Sequence, residues 1–312
     1  MTTVLVAGAT GDLGHRIVRD LLAADPAVFV RVLTRPGGRT AHAMYGERSR
    51  VEIREAAYTD HAGLVDALSG ADVVVSAVSG ARSVILDAQR ALLAAAVEAG
   101  AARFIPSDYS ADHRRVTPGT NRNFELRREF AAALDAAPLR ATSVLNGAFA
   151  DMLTGQAPMI LFKRHKVLYW SSPDQLLDFT TKDDVARTVA HVALDDAAPR
   201  FVEVAGDRVT ARGLARIMTE LTGVPFTTQW AGTTGMLSGM ARIGRRVSAD
   251  EEAAFPAWQG MQYFVSMFSG EAQLRHVDND RYGPQAWTGT RDVLEAYVKD
   301  GDHGLTTTAA AM

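Results

Sequence analysis

The chain of 312 residues contains no cysteine, which excludes disulfides, thiolate nucleophiles and any cysteine-ligated zinc or iron–sulfur centre. An excess of charge of either sign is lacking too. Thirty-three basic residues face 36 acidic ones, for a formal net charge of -3, and the arginines are scattered rather than gathered in a stripe. Neither nucleic acid nor an anionic membrane is therefore an expected partner. The short cluster Arg242, Arg245 and Arg246 reads as a solvated helix end. The eight histidines lack the paired spacing of metal ligands, so no metal site is expected. No apolar run reaches membrane-spanning length and the first strand begins almost at Met1, leaving no room for a leader, so a cytoplasmic location is expected. Lysine is scarce as well, with none before Lys163, so any cationic chemistry in the first half falls to arginine or histidine.

What is present begins with Val4, Leu5, Val6, Ala7, Gly8, Ala9, Thr10, Gly11, Asp12, Leu13, Gly14, an apolar strand running into a glycine-rich loop and then an apolar-periodic helix, His15 to Ala24. Glycines at 8, 11 and 14 permit a tight turn, close approach of backbone to a pyrophosphate, and close packing of helix on sheet. The helix N-terminus supplies free N–H groups and a positive dipole end. A dinucleotide is the expected ligand, with Gly8, Thr10, Gly11, Asp12, Leu13 and Gly14 around the pyrophosphate. After the second apolar run, Val28 to Leu33, an enzyme using NAD would place an acid; Arg35 stands there. A guanidinium matches a 2′-phosphate in charge and geometry, so NADP(H) is expected.

Strand and helix patterns then alternate: strand Val51 to Glu55, helix His61 to Leu68, strand Asp72 to Ala77, helix Ser83 to Ala99, strand Arg103 to Ile105, helix Asn121 to Ala136, strand Ala141 to Leu145. This order with short links predicts an α/β fold, a Rossmann-type doubly wound parallel sheet covered on both faces. Ligands of such sheets lie across the carboxyl ends of the strands. That places Ala77, Val78 and Ser79, then Pro106, Ser107 and Asp108, then Asn146 and Gly147 around one crevice, with Ser79, Pro106 and Asn146 on the nicotinamide side. Further on, Lys163 to Trp170 reads as a hairpin or edge segment, Asp183 to Leu194 as a helix, Phe201 to Val204 as a strand, Ala211 to Leu221 as a helix capped by Thr210, and Pro225 to Trp230 as a strand. Asp250 to Phe268 is a mainly helical stretch carrying Phe255, Trp258, Met261, Tyr263, Phe264, Met267 and Phe268, core or apolar roof over the crevice. Residues 1–150 and 179–206 are thus expected to form the NADP-binding domain, 151–178 and 207–305 a smaller C-terminal substrate lobe, and 306–312 a frayed tail.

These features together resemble the NmrA-like and isoflavone-reductase-like group of atypical short-chain dehydrogenases/reductases. The resemblance covers nearly the whole chain and rests on Gly8 to Gly14, on Arg35, on Arg103 to Tyr109, which is similar to the family's strand ending in Pro-Ser-Glu-Phe, on Asp178 to Asp196, and on Val204 to Gly223. It implies an NADP(H)-binding Rossmann fold. It leaves function between NADPH-dependent reductases of phenylpropanoids, quinones and enones and non-catalytic, redox-responsive regulators. Ordinary short-chain enzymes pair a tyrosine with a lysine four residues on, and no such pair occurs here. Isoflavone-reductase-type enzymes carry a lysine in a Phe-Glu-Val-Lys context; the matching residues here are Phe124, Glu125, Leu126 and Arg127.

Helical spacing puts Arg127 on one face with Phe124, Phe130, Ala131 and Leu134, facing inward. A partner is then required: cofactor or substrate oxygen, or an acid such as Asp108 or Asp112. Arginine does not release its proton near neutral pH but can hydrogen-bond a developing alkoxide or enolate. Proton delivery falls to Tyr109 by its place at a strand end, to water, or to His113 or Lys163; a packed loop aromatic is the other reading of Tyr109. The leading expectation is an NADPH-dependent reductase of a small, mostly apolar carbonyl, enone or quinone, monomeric or homodimeric. The alternative is an NADP(H) sensor without turnover.

Overall fold

The computed structural model describes residues 1–248, 253 and 256–301. In chain order its elements are β1 (Thr3–Ala7), α1 (Asp12–Ala24), β2 (Phe29–Thr34), α2 (Arg39–Tyr45), β3 (Val51–Glu55), α3 (His61–Leu68), β4 (Val73–Ser76), α4 (Gln89–Glu98), β5 (Arg103–Ile105), α5 (Arg122–Asp135), β6 (Arg140–Ala141), β7 (Ser143–Leu145), β8 (Ala148–Phe149), β9 (Ile160–Leu161), β10 (Lys166–Tyr169), β11 (Leu177–Thr180), α6 (Lys182–Leu194), β12 (Phe201–Glu203), β13 (Asp207–Val209), α7 (Ala211–Thr222), β14 (Thr227–Trp230), α8 (Thr234–Val247), α9 (Ala257–Phe268) and α10 (Thr290–Lys299).

The main sheet runs β3-β2-β1-β4-β5-β6, all parallel, the doubly wound order expected of alternating strand and helix. Its central strands β1 and β4 are almost wholly apolar because both faces are covered, whereas the edge strand β3 alternates polar and apolar residues. On one side α1 and α6 pack over Val4, Val6, Val30, Val32 and Val75. On the other, α3, α4 and α5 cover Leu5, Val74 and Phe104. Each fully buried aliphatic side chain contributes about 1.5–3 kcal/mol, so the sheet and its two helical layers hold the site edge rigid.

Two expected elements differ in detail. Helix Ser83 to Ala99 begins with a widened π turn, Ser83–Ala88, before α4. Strand Ala141 to Leu145 divides at Thr142: β6 pairs with β5, whereas β7 pairs with β12, so the strand direction continues while its hydrogen-bonding partner changes. Lys163 to Trp170 supplies β10, antiparallel to β9 and parallel to β14. Thr210 caps α7 by accepting from Gly213 N–H, as expected. The Arg242, Arg245, Arg246 cluster ends α8, and Ala257–Phe268 is helical; Phe255 and 306–312 lie outside the described residues. A third core, built from Leu153, Met159, Val167, Leu177, Leu214, Met218, Phe268 and Leu294, gathers the later elements. Among the described residues no helix is long and apolar enough to cross a membrane, and no cluster of acidic or histidine side chains could hold a metal.

Candidate active site

The glycine loop joins β1 to α1 with Gly8 at φ 80°, a left-handed conformation; a Cβ there would lie 2.6 Å from the carbonyl oxygen of Ala77. Thr10, Gly11 and Asp12 are exposed, and Gly11 offers no side-chain oxygen to the first-turn N–H groups of α1. Leu13 is half-buried and Gly14 buried beneath the loop. Arg35 is exposed where β2 ends, and it makes no ion pair among the described residues. The turn beyond it is tied down by Glu55, which accepts from Gly37 N–H at 2.9 Å and from His42 Nε2 at 2.9 Å, so Arg35 stands on a fixed base.

Across the sheet, the carboxyl ends of β4, β5 and β7 bring the predicted residues together. Ala77, Val78 and Ser79 follow β4. Ser107 bridges to them, its hydroxyl donating to the Val78 carbonyl at 2.6 Å while its N–H donates to buried Gln89 Oε1 at 2.9 Å. Pro106 and Ser107 are buried. Asn146 N–H donates to the Ser110 carbonyl, fixing the β7 end against the segment after β5. Two buried polar groups here have no hydrogen-bond partner among the described residues: both amide atoms of the Asn146 side chain, just after β7, and Ser76 Oγ, at the end of β4. Buried polar groups without partners are costly in a folded chain, so their place at the carboxyl ends of the strands points to a polar ligand. A nicotinamide carboxamide, with one acceptor and one donor group, matches Asn146.

Arg127 is buried on α5, as its spacing requires. Its Nη1 donates to the Asn123 carbonyl at 3.2 Å and its Nε has no partner. The anticipated acid pairing does not form. Asp112 is taken by Arg114 at 2.7 Å, and Asp108 accepts from Ser143 Oγ at 2.7 Å. The N-terminus of α5 is latched to α9: Asn121 Oδ1 caps Phe124 N–H and accepts from Gln259 Nε2 at 2.9 Å, and Gln262 Oε1 accepts from Arg122 N–H at 3.0 Å.

Tyr109 packs on the α1–α6 side of the sheet with its hydroxyl buried and unpartnered; burial, reinforced by the Asp108 carboxylate, pushes its pKa far above the usual phenol value. His113 is buried beside Phe124, with ring centroids 6.2 Å apart. Burial first, with the Arg127 and Arg114 charges adding and the Asp108 and Asp112 carboxylates opposing, pushes its pKa down to about 4. A histidine with a depressed native pKa favours folding fully above its unfolded value of 6.5 and loses that contribution as pH falls toward 4. At about 1.4 kcal/mol per pH unit this amounts to about 3 kcal/mol. We expect denaturant titrations between pH 7 and pH 4 to show His113→Gln flattening the acid loss of stability by up to one proton; an unchanged slope refutes a neutral buried His113.

A small cleft of about 10 Å³ lies where the β7 end meets the segment before β11 and the end of α9, lined by Ala111, Gly147, Leu176, Leu177, Met267 and Gln273. Lys163 lies between β9 and β10 and does not line this cleft. Sequence reasoning missed Gln89, which orients Ser107, and Lys182, whose ammonium lies 2.5 Å from Asp12 Oδ2 in the glycine loop. The only sequence signal for Lys182 was its rarity of type.

The NmrA-like family profile matches residues 1–240. The chain belongs to the NmrA-like family. Pinoresinol reductase 1 of Arabidopsis thaliana is 30% identical over 283 residues, covering 86% of each chain. A solved structure of AtPrR2 with NADP+ and (+)pinoresinol superposes with a TM-score of 0.80 at 25% identity, covering 95% of this chain and 98% of that one. An NADPH-dependent quinone oxidoreductase of Escherichia coli shares the fold, with a TM-score of 0.73 at 21% identity over 94% of this chain and 99% of that one. The NmrA-like assignment agrees with the resemblance in the glycine loop and the Pro106–Tyr109 segment.

Proposed function

We propose that the protein is an NADPH-dependent reductase of a small, mostly apolar, oxygen-bearing substrate of the phenolic, quinone or enone kind. NADP(H) is its cofactor. Gly8, Thr10, Gly11, Asp12, Leu13 and Gly14 hold the pyrophosphate, Arg35 the 2′-phosphate, and Ala77, Val78, Ser79, Pro106, Ser107, Asn146 and Gly147 border the nicotinamide half. The observation that carries the catalytic reading is Arg127, a buried guanidinium with no carboxylate partner among the described residues.

NADPH, when bound, would supply a hydride to an electrophilic substrate carbon, with the carbon–oxygen π pair passing to the oxygen. Arg127 donates hydrogen bonds to that oxygen as its charge develops, a service strengthened by the dry surroundings of α5. Asn146, whose buried amide has no partner among the described residues, would hold the nicotinamide carboxamide. The proton that completes the reduction comes from water, since Arg127 does not release one and the Tyr109 hydroxyl is buried in the core on the α1–α6 side of the sheet.

NADPH oxidation against a panel of phenolic lignans, quinones and enones tests this reading. Turnover of a panel member supports the reductase; tight NADPH binding without turnover across the panel favours a redox sensor. For the cofactor itself, Arg35→Ala is expected to raise the NADPH dissociation constant by about 10- to 100-fold, the worth of a charge-assisted contact, and to leave NADH unaffected. Equal weakening of both nucleotides places Arg35 away from the 2′-phosphate.

A further inference from the structure

The glycine loop carries a carboxylate at the very place where an anionic ligand is to lie, and the fold brings a lysine across to it. Asp12 opens α1, with its carboxylate largely exposed. Lys182 opens α6, capped by Thr181, whose hydroxyl accepts from Asp184 N–H. Its own N–H donates to Asp151 Oδ2 at 3.0 Å, which fixes where the side chain starts. The Lys182 ammonium then reaches Asp12 Oδ2 at 2.5 Å, although 170 residues separate the two in sequence. The side chain is only 18% exposed, so its stem is held and its tip is presented at the loop.

Of the neighbouring cations, Arg16 shares Asp12 with Lys182. Arg16 spans Asp12 and Asp183, and Arg19 spans Asp20 and Asp183. The other lysines belong to the later elements: Lys163 precedes β10, Lys166 reaches Thr227, and Lys299 pairs with Glu295. The Asp12 carboxylate beside a pyrophosphate opposes the N-terminal dipole of α1 that attracts it, and Arg16 and Lys182 together offset that charge. An ammonium has three donors and can serve a carboxylate and a phosphate together, which a carboxylate-bound point charge at this loop is placed to do.

We propose that Lys182 is a cofactor-binding residue whose ammonium bridges Asp12 and a pyrophosphate oxygen of NADP(H), with Asp12 holding it ready. The proposal rests on the NADP(H) reading above. Its test is fluorescence titration with NADPH, set beside competition by adenosine 2′-monophosphate, which carries the 2′-phosphate but no pyrophosphate. Lys182→Met is expected to weaken NADPH about tenfold, as for loss of one charge-assisted bond, and to change the adenosine 2′-monophosphate affinity by less than about twofold. Retained binding of that fragment also shows that the variant is folded. In an Asp12→Asn background, where no carboxylate needs neutralising, Lys182→Met is still expected to weaken NADPH about fivefold. Identical affinities of Asp12→Asn and the double variant overturn the proposal, because Lys182 then acts only on Asp12. Equal weakening of both ligands by Lys182→Met overturns it too. A parent protein that binds neither ligand overturns the NADP(H) reading along with it.

Discussion

Replacing Arg127 by methionine is expected to lower kcat by about 10²- to 10³-fold, the range for removing a donor to a developing oxyanion, while leaving the protein as stable as the parent or more so. The two halves of this expectation come from one observation. Arg127 is 8% exposed, its Nε has no partner among the described residues, and there its one hydrogen bond goes to a carbonyl of its own helix. A guanidinium so placed has lost much of its hydration without gaining a carboxylate, which makes it a burden on folding. Methionine fills similar volume, needs no partner and favours a helix, so the variant sheds that burden. A residue retained at a cost to stability is explained by what it does when ligands arrive. Thermal unfolding, NADPH titration and steady-state oxidation of the same preparations check the split. Full turnover in Arg127→Met would remove the arginine from catalysis, and a large fall in Tm would make it structural. Arg127→Lys restores a cation at this position but not the planar fork, so partial recovery of kcat is expected.

Much of this site was legible because it is made by backbone rules that work over short stretches. A strand, three glycines and a helix specify the loop between β1 and α1 locally, and β3, α3 and β5 fall where apolar alternation and periodicity put them. The inward face of Arg127 followed from helical geometry alone. What periodicity cannot reveal is the partner of a side chain. Asp108 and Asp112 were both within plausible reach of Arg127, yet Asp112 is drawn off by Arg114, which also bonds Glu203, and Asp108 by Ser143. Lys182 meets Asp12 only because α6 lies along α1, a contact set by the sheet order. The small cleft was illegible for the same reason. Leu176, Met267 and Gln273 converge on Gly147 through the packing of the third core, and no local pattern encodes that meeting.

Gly14→Ala is expected to be among the most damaging single-methyl additions in the chain. A Cβ at Gly14 would lie 2.1 Å from the carbonyl oxygen of Gly8, 2.8 Å from its carbonyl carbon and 2.9 Å from the Cα of Ala9. All three are backbone atoms, so no side-chain rotation relieves the overlap; α1 must back away from the loop or the loop must deform. Either response costs at least about 3 kcal/mol, at the upper end of overpacking in a buried site. It also displaces the first-turn N–H groups from the pyrophosphate, and a shift of about 1 Å in a binding constellation costs on the order of 10²-fold. We expect Gly14→Ala to lose NADPH binding by that factor under conditions where it remains folded. Gly239→Ala on α8 provides the opposing case. There the added Cβ meets nothing within 4 Å, and alanine is favoured over glycine inside a helix by up to about 1 kcal/mol. The same substitution should raise Tm at residue 239 and lower it at residue 14. A similar response at both positions would mean that the close approach of α1 to the loop is not what holds the dinucleotide site in shape.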